Sequence, residues 1–334
     1  MPNPFESCYQ GANLASDTPL ISNTLSTEIS RAPLNVTAHG AEIPLRVAIW
    51  VASIWCWILI VISVVGSFYA MAMGAFALSV HVALAVRIRG SAVRLSEQQF
   101  PDLYRRIVAL SERIGLPVPD AYLMQSGGAI NAFATKFFGS HFIVLYSDLI
   151  AACGNNEEAL DFIVAHELGH LHRGHLKRWL LLLPGRLIPL LGSAYSRACE
   201  YTCDRYGAAA TSHSPEGLEG LVILAAGGQF APNVNRLAFA QQTQQLDTVL
   251  MNLGQWFGTH PPLVKRLIAL DSSLRAQIPE RKSAATASAV VLVGMFLCLC
   301  LGSAFAASKF VNHVNQIVEQ QKLNSVHREP PTTD

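Results

Sequence analysis

The chain has 334 residues, of which 51% are hydrophobic and 14% charged, where a soluble protein carries about 25% charged residues. With a mean hydropathy of +0.32, this excludes a disordered chain, a disulfide-rich miniprotein and a simple soluble enzyme, and points to a protein partly dissolved in lipid. Its 24 basic and 23 acidic residues nearly balance, which leaves no electrostatic footprint for nucleic acid and predicts no nucleic-acid partner.

Residues 1–44 are rich in Ser, Thr, Asn and Pro without an apolar period, the pattern of a disordered N-terminal tail. Residues 47–86 then carry no Asp, Glu, Lys or Arg. As one helix they would measure about 60 Å, twice the hydrocarbon core, so they predict a transmembrane hairpin within 45–88. Its helices are expected at 47–65 and 68–86, turning near Gly66-Ser67-Phe68-Tyr69 and Gly74, with Trp50, Trp55 and Trp57 suited to an interfacial belt. The run starts too late and is too long for a cleaved signal peptide. A second uncharged run, 283–308, predicts one further span, followed by a C-terminal tail at 309–334 whose first part has helical apolar spacing. Arg87, Arg89 and Arg94 on one side, and Arg275, Arg281 and Lys282 on the other, place the intervening region in the cytoplasm by the positive-inside rule. The seven cysteines form no CxxC pair and read as reduced thiols.

Residues 89–282 have ordinary mixed composition and predict a soluble α+β domain, mostly helical with a small sheet. A helix begins at Pro101 and ends at Gly115. Strands are expected at 120–124 and 141–146, a turn at Ser126-Gly127-Gly128, and a short strand at Asn131-Ala132-Phe133-Ala134. Asn155 or Asn156 caps a long helix running to about 178, with further helices near 194–210, 216–227, 236–252 and 262–274. The apolar stretch 179–191 is interrupted by Pro184, Gly185 and Arg186, so neither half spans a bilayer; it either dips into the membrane surface or covers the core.

The long helix contains His166-Glu167-Leu168-Gly169-His170, an HExxH pattern. Histidines at i and i+4 lie about 40° apart on one helix face, so both imidazoles can meet one Zn²⁺. Glu167 projects about 100° away, beside the metal, where a carboxylate can take a proton from activated water. Val164, Leu168 and Leu171 form the opposite, core-facing side. On a continuous helix His172 and His175 point elsewhere and read as structural or surface residues. A catalytic zinc needs a third protein ligand and one open position. Glu200 is the leading candidate, with Asp204 one turn on to accept from a ligating imidazole. Two alternatives stay open: Glu200 and Asp204 form a solvated acidic face, or Cys199 or Cys203 supplies the ligand.

Four segments in this order resemble the M48 family of zinc metallopeptidases: Asn131–Ala134, Glu157–His175, Ser196–Asp204, and Thr259-His260-Pro261-Pro262 with Arg266. The resemblance runs from about 97 to 274, and the preceding hairpin suits the layout of HtpX-like members. Those members carry two more spans after the HExxH helix, for which 176–196 is too short and too broken here. Members that process prenylated proteins have many more spans than three.

The resemblance implies a zincin-like domain with one Zn²⁺ held by His166, His170 and Glu200, and Glu167 as general base. It also implies His260 and Arg266 near the tetrahedral intermediate, and an extended substrate against Asn131, Ala132, Phe133 and Ala134. It implies an integral-membrane endopeptidase of a bacterial inner membrane, with unfolded or membrane polypeptides as substrates. Two rival readings are an inactive membrane-anchored zinc-binding scaffold and a metal hydrolase of non-peptide substrates.

Overall fold

The computed structural model describes residues 33–125, 127–128, 131–137, 139–279 and 284–326. Contacts divide the chain into two units, Met1–Thr243 with Gln255–Pro279, and Gln244–Gly254 with Glu280–Asp334. The expected turn at 126–128 falls partly outside the described residues, as do Arg281, Lys282 and the last eight residues of the tail.

The first unit begins with α1 (Glu42–Ile62) and α2 (Val64–Ser91), both long and apolar enough to cross a membrane. The hairpin differs from expectation in two ways. The break lies at Ser63, whose side chain accepts from the Gly66 amide and caps α2, so the glycine sits inside the helix. Moreover α1 starts before the uncharged run, because the charges of Glu42 and Arg46 are met by protein partners. Residues 33–39 are not a free tail. Leu34 N donates to Arg113 O at 2.8 Å, and His39 N donates to Thr202 Oγ1 at 2.9 Å.

Four strands follow: β1 (Val93–Arg94), β2 (Asp120–Met124), β3 (Ala132–Phe137) and β4 (Ser140–Tyr146). Their order is β1-β2-β4-β3, with β2 parallel to β4 and β3 antiparallel to it. β3 is therefore an edge strand, in register Ala132 with Leu145 and Ala134 with Ile143. Helix α3 (Pro101–Ile114) connects β1 to β2 in the chain, and α4 (Ser147–Cys153) packs against β4.

The centre of the unit is α5 (Glu157–His172). Asn156 caps it by accepting from Ala159 N at 2.9 Å, and Glu157 and Glu158 sit favourably in its first turn. It packs with α3, α7 (Leu191–Ala210) and α8 (Pro215–Ala226) around Ile107, Leu110, Phe162, Leu168 and Leu221. The expected continuation to 178 fails at Gly174, which takes φ +69° and turns the chain back under the helix. His175 N consequently donates to His170 O at 3.1 Å.

The interrupted stretch forms α6 (Trp179–Leu187), which lies along the middle of α1. Trp57 Nε1 donates to Leu181 O at 2.8 Å, Ser53 Oγ to Leu182 O at 3.2 Å, and Gly185 N to Ser53 Oγ at 3.0 Å. These side chains satisfy backbone groups on a helix that Pro184 interrupts.

The predicted helix over 236–252 is broken. After α9 (Arg236–Gln241) comes a 3₁₀ turn, and α10 (Val249–Phe257) starts afresh, with Met251 N donating to Thr248 Oγ1 at 3.4 Å. The helix over 262–274 likewise divides into α11 (Leu263–Leu270) and α12 (Ser272–Gln277). There Asp271 accepts from the amides of Ser273 and Leu274. In the second unit α13 (Ala285–Val326) is one continuous helix. It absorbs the expected span and the start of the tail, and is also apolar enough to cross a membrane.

The approach of α5 to α7 fixes the site described below, and two glycines permit it. A Cβ on Gly207 would lie 2.7 Å from Phe162 O, and one on Gly169 would lie 3.1 Å from the Tyr206 ring. We expect Gly207→Val to push the helices apart at a cost of about 1–3 kcal/mol. Thermal denaturation in detergent would show this as a lowered midpoint; an unchanged midpoint would mean that the close approach is not required.

Candidate metal centre

Helix α5 brings His166, Glu167 and His170 to one place, and α7 brings Glu200 and Asp204 against them. His166 Nε2 lies 3.6 Å from Glu200 Oε2, and His170 Nε2 lies 3.5 Å from Glu200 Oε1. Donors bonded at about 2.1 Å in a tetrahedral arrangement stand roughly 3.4 Å apart, so this set fits a small dication. The charges agree with that fit. Glu167, Glu200 and Asp204 are three carboxylates around two imidazoles, with Arg266 as their close guanidinium.

The environment of each group follows. Burial opposes a charge on His166, yet hydrogen bonds to Asp204 and Glu200 raise its pKa to about 9, so this point favours positive charge. Burial likewise opposes ionisation of Glu200, but the two histidines hold its carboxyl well below the ordinary range. Burial pushes Glu167 upward, which suits a carboxylate that exchanges a proton. Its Oε2 accepts from Ala134 N at 2.9 Å, so the edge strand orients it. A cleft of about 280 Å³ runs between Asn131–Ala134 and α5.

Each histidine has a partner for its other ring nitrogen. His166 Nδ1 lies 3.0 Å from Asp204 Oδ1. Arg266 grips Asp204 with two nitrogens, at 2.9 Å and 2.6 Å, and reaches Glu200 Oε2 at 3.2 Å with the third. Arg266 is thus committed to the two α7 carboxylates. It holds Glu200 and Asp204 in place and also lines the cleft, where the resemblance implies a place near the tetrahedral intermediate. His260 does reach the cluster, with Nε2 at 3.5 Å from Glu200 Oε1 and Nδ1 at 3.0 Å from Thr259 Oγ1. Its side chain is 70% exposed, at the open side of the cleft.

The partner of His170 carries no signal in the helical pattern of the sequence. His170 Nδ1 lies 3.0 Å from His175 Nδ1, and His175 Nε2 lies 3.3 Å from Glu42 Oε1. Glu42 also accepts from Thr202 Oγ1 at 2.5 Å and pairs with Arg46 and Arg173. Burial lowers the pKa of His175 to about 4, so its ring is neutral at pH 7. The signal for His175 was Gly174, which ends the helix. No local signal marks Glu42, which meets His175 only through the fold.

Among the described residues a second group, His170, His175 and Cys203, also has metal-ligand spacing. Cys203 is wholly buried, which pushes its thiol well up. Cys199 packs with Ile49, Leu182 and Tyr195, and burial pushes its thiol up to about 12. Glu200 stands within 3.6 Å of both histidines of the HExxH pattern, and the burial of Glu200 and Asp204 rules out a solvated acidic face.

A match to Peptidase family M48 covers residues 97–185 and 179–274, more than half of the chain. The chain belongs to peptidase family M48. Among its relatives is the plastoglobule-localized metallopeptidase 48 of Arabidopsis thaliana, 29% identical over 187 residues, or 50% of this chain and 53% of that protein. A protease HtpX homolog of Nostoc punctiforme is 39% identical over 90 residues, 27% of this chain and 29% of its own length. One from Polynucleobacter necessarius is 28% identical over 223 residues, covering 54% of this chain and 76% of that relative. The chain thus spans about half the length of the chloroplast relative and under a third of the Nostoc one. No solved structure gives a significant match. With its long apolar helices, this M48 member is a membrane protein.

The geometry separates the two donor groups. Asp204→Asn should weaken metal binding by about 10–100-fold, as loss of an outer hydrogen-bond partner typically does, whereas Cys203→Ser should leave it unchanged. Competition with a chromophoric chelator measures both. Metal loss in Cys203→Ser would transfer the centre to the His175 group.

Proposed function

We propose that this chain is an integral-membrane zinc endopeptidase with a zincin-like domain and one Zn²⁺ per chain, held by His166, His170 and Glu200. The carrying observation is the pair of imidazole–carboxylate spacings of 3.6 Å and 3.5 Å, with Glu167 alongside. A donor set of two nitrogens and one carboxylate with an open position suits zinc. When bound, zinc supplies Lewis acidity that polarises the substrate carbonyl and makes water nucleophilic at neutral pH.

The chain's own residues do the rest. Glu167 accepts the proton of the attacking water and delivers it to the leaving amine as the C–N bond breaks. Burial pushes its carboxyl upward, which favours taking up the proton before passing it on. His260 lies at the open side, where a donor can meet the developing oxyanion. Arg266 holds Asp204 and Glu200, and Asp204 holds the His166 ring. An extended polypeptide lies against Asn131–Ala134 by β-augmentation, with the Ala134 amide already donated to Glu167.

The proposed organisation is a hairpin at 45–88, a peptidase domain at 89–282, a span at 283–308 and a tail at 309–334. Arg87, Arg89, Arg94 and Arg275 favour a cytoplasmic domain in a bacterial inner membrane. The contact of His175 with Glu42 supports a site close to the membrane surface, and hence unfolded or membrane polypeptides as substrates in quality control. The relatives named protease HtpX homolog agree with this reading.

Glu167→Gln should abolish cleavage of an unfolded test protein while zinc stays bound; residual activity or metal loss would remove Glu167 as the base. In the same assay His260→Ala should lower kcat by about 10²–10³-fold at unchanged zinc content, and an unchanged kcat would make His260 structural. Reporter fusions at 95 and 275 should read cytoplasmic, and one near 325 should read outside. A fusion at 275 reading outside would overturn the topology.

A further inference from the structure

A second cavity, of about 510 Å³, opens beside the first turns of α1. Its walls include Arg46 and Trp50 of α1, Lys136 of β3, and Arg173, Lys177 and Arg178 from the segment between α5 and α6. Five of these six are cations, and none of the residues lining the cavity is Asp or Glu. The nearby acid, Glu42, is buried and already shared between Arg46 and Arg173. Lys136, Lys177 and Arg178 make no ion pair with another described residue; Arg178 instead lies over the Trp50 ring, 5.7 Å from its centroid. Further, the Nε atoms of Arg46 and Arg173 are buried without a hydrogen-bond partner. A group of cations with unused donors is unfavourable by itself and is satisfied by an anion with several acceptor oxygens.

We propose that this cavity binds the phosphate-bearing headgroup of an anionic phospholipid. Its depth identifies the source of the anion. Arg46 lies one turn, and Trp50 two turns, after the first residue of α1, about 6 Å and 12 Å along the helix. Arg and Trp at the start of a span occupy the headgroup layer, where basic pockets beside transmembrane helices take anionic lipid. Leu182 and Tyr195 line the same cavity, and Leu180, Leu181 and Leu187 of α6 are exposed beyond it, which gives acyl chains an apolar surface to follow. A zwitterionic lipid would bring its own ammonium into a ring of cations, so the site selects net negative charge. This inference concerns binding alone and does not depend on peptidase activity.

The test uses the full chain in detergent, stripped of lipid, with bound lipid counted by native mass spectrometry. Phosphatidylglycerol should be retained in preference to phosphatidylcholine. The double variant Lys177→Gln/Arg178→Gln should bind phosphatidylglycerol about 10-fold more weakly. Both side chains are exposed, so folding is not at stake; the swap Lys177→Arg/Arg178→Lys, which keeps both charges, should restore binding. Two competitors distinguish other sources of anion, and neither inorganic phosphate nor a Glu-rich peptide should displace the lipid. Equal retention of the two lipids, wild-type affinity in the double variant, or displacement by phosphate or by the peptide would each overturn the proposal.

Discussion

Three carboxylates, Glu167, Glu200 and Asp204, share a small buried space, and the cost of burying them governs the architecture around them. Buried charges persist when they are paired and hydrogen-bonded. Arg266 meets this need in part, with all three guanidinium nitrogens given to Glu200 and Asp204. The two imidazoles meet it further, and a dication held between them would complete the balance. The close packing of α5 on α7, made possible by Gly169 and Gly207, brings these charges together, so the backbone approach and the chemistry are one constraint.

The second consequence of this packing is the connection to the membrane. His170 turns its Nδ1 toward His175, and His175 turns toward Glu42 at the head of α1. A carboxylate with no exposure at the start of an apolar helix is costly unless satisfied. Here Thr202, Arg173, Arg46 and His175 satisfy it together. The orientation of a metal-centre imidazole and the anchoring of the first span therefore rest on one side chain.

Much of this was legible in the sequence where the determinants are local. The HExxH helix carries its own cap and periodicity, the strands their β-branched residues, and Glu200 and Asp204 share a helix face. What escaped depends on contacts across the chain or on capping chemistry. Ser63 rather than Gly66 breaks the hairpin because a hydroxyl cap decides where a helix starts. Asp271 divides the last helix of the domain for the same reason. His175 is the buried structural residue its position suggests, but one glycine, Gly174, converts a helical position into a turn and brings it to His170. Glu42 falls in the segment whose composition predicts a disordered tail, and its partners lie more than a hundred residues away.

That separation in sequence bears on how the chain is made. A ribosome releases Glu42 and Arg46 long before Thr202, Arg173 or His175 exists, so the newborn hairpin enters the bilayer with a carboxylate whose final partners are still to come. Until α5 and α7 fold, the i,i+4 pair with Arg46 is the one neutralisation the hairpin can supply from within. The reverse also holds. Cutting the chain after residue 88 to obtain a lipid-free fragment would remove the acceptor on which His175, Arg173 and Thr202 converge, and with it the support of the His170 ring. In this protein the head of the first apolar helix is built into the interior formed by α5 and α7, and trimming it away would open that interior.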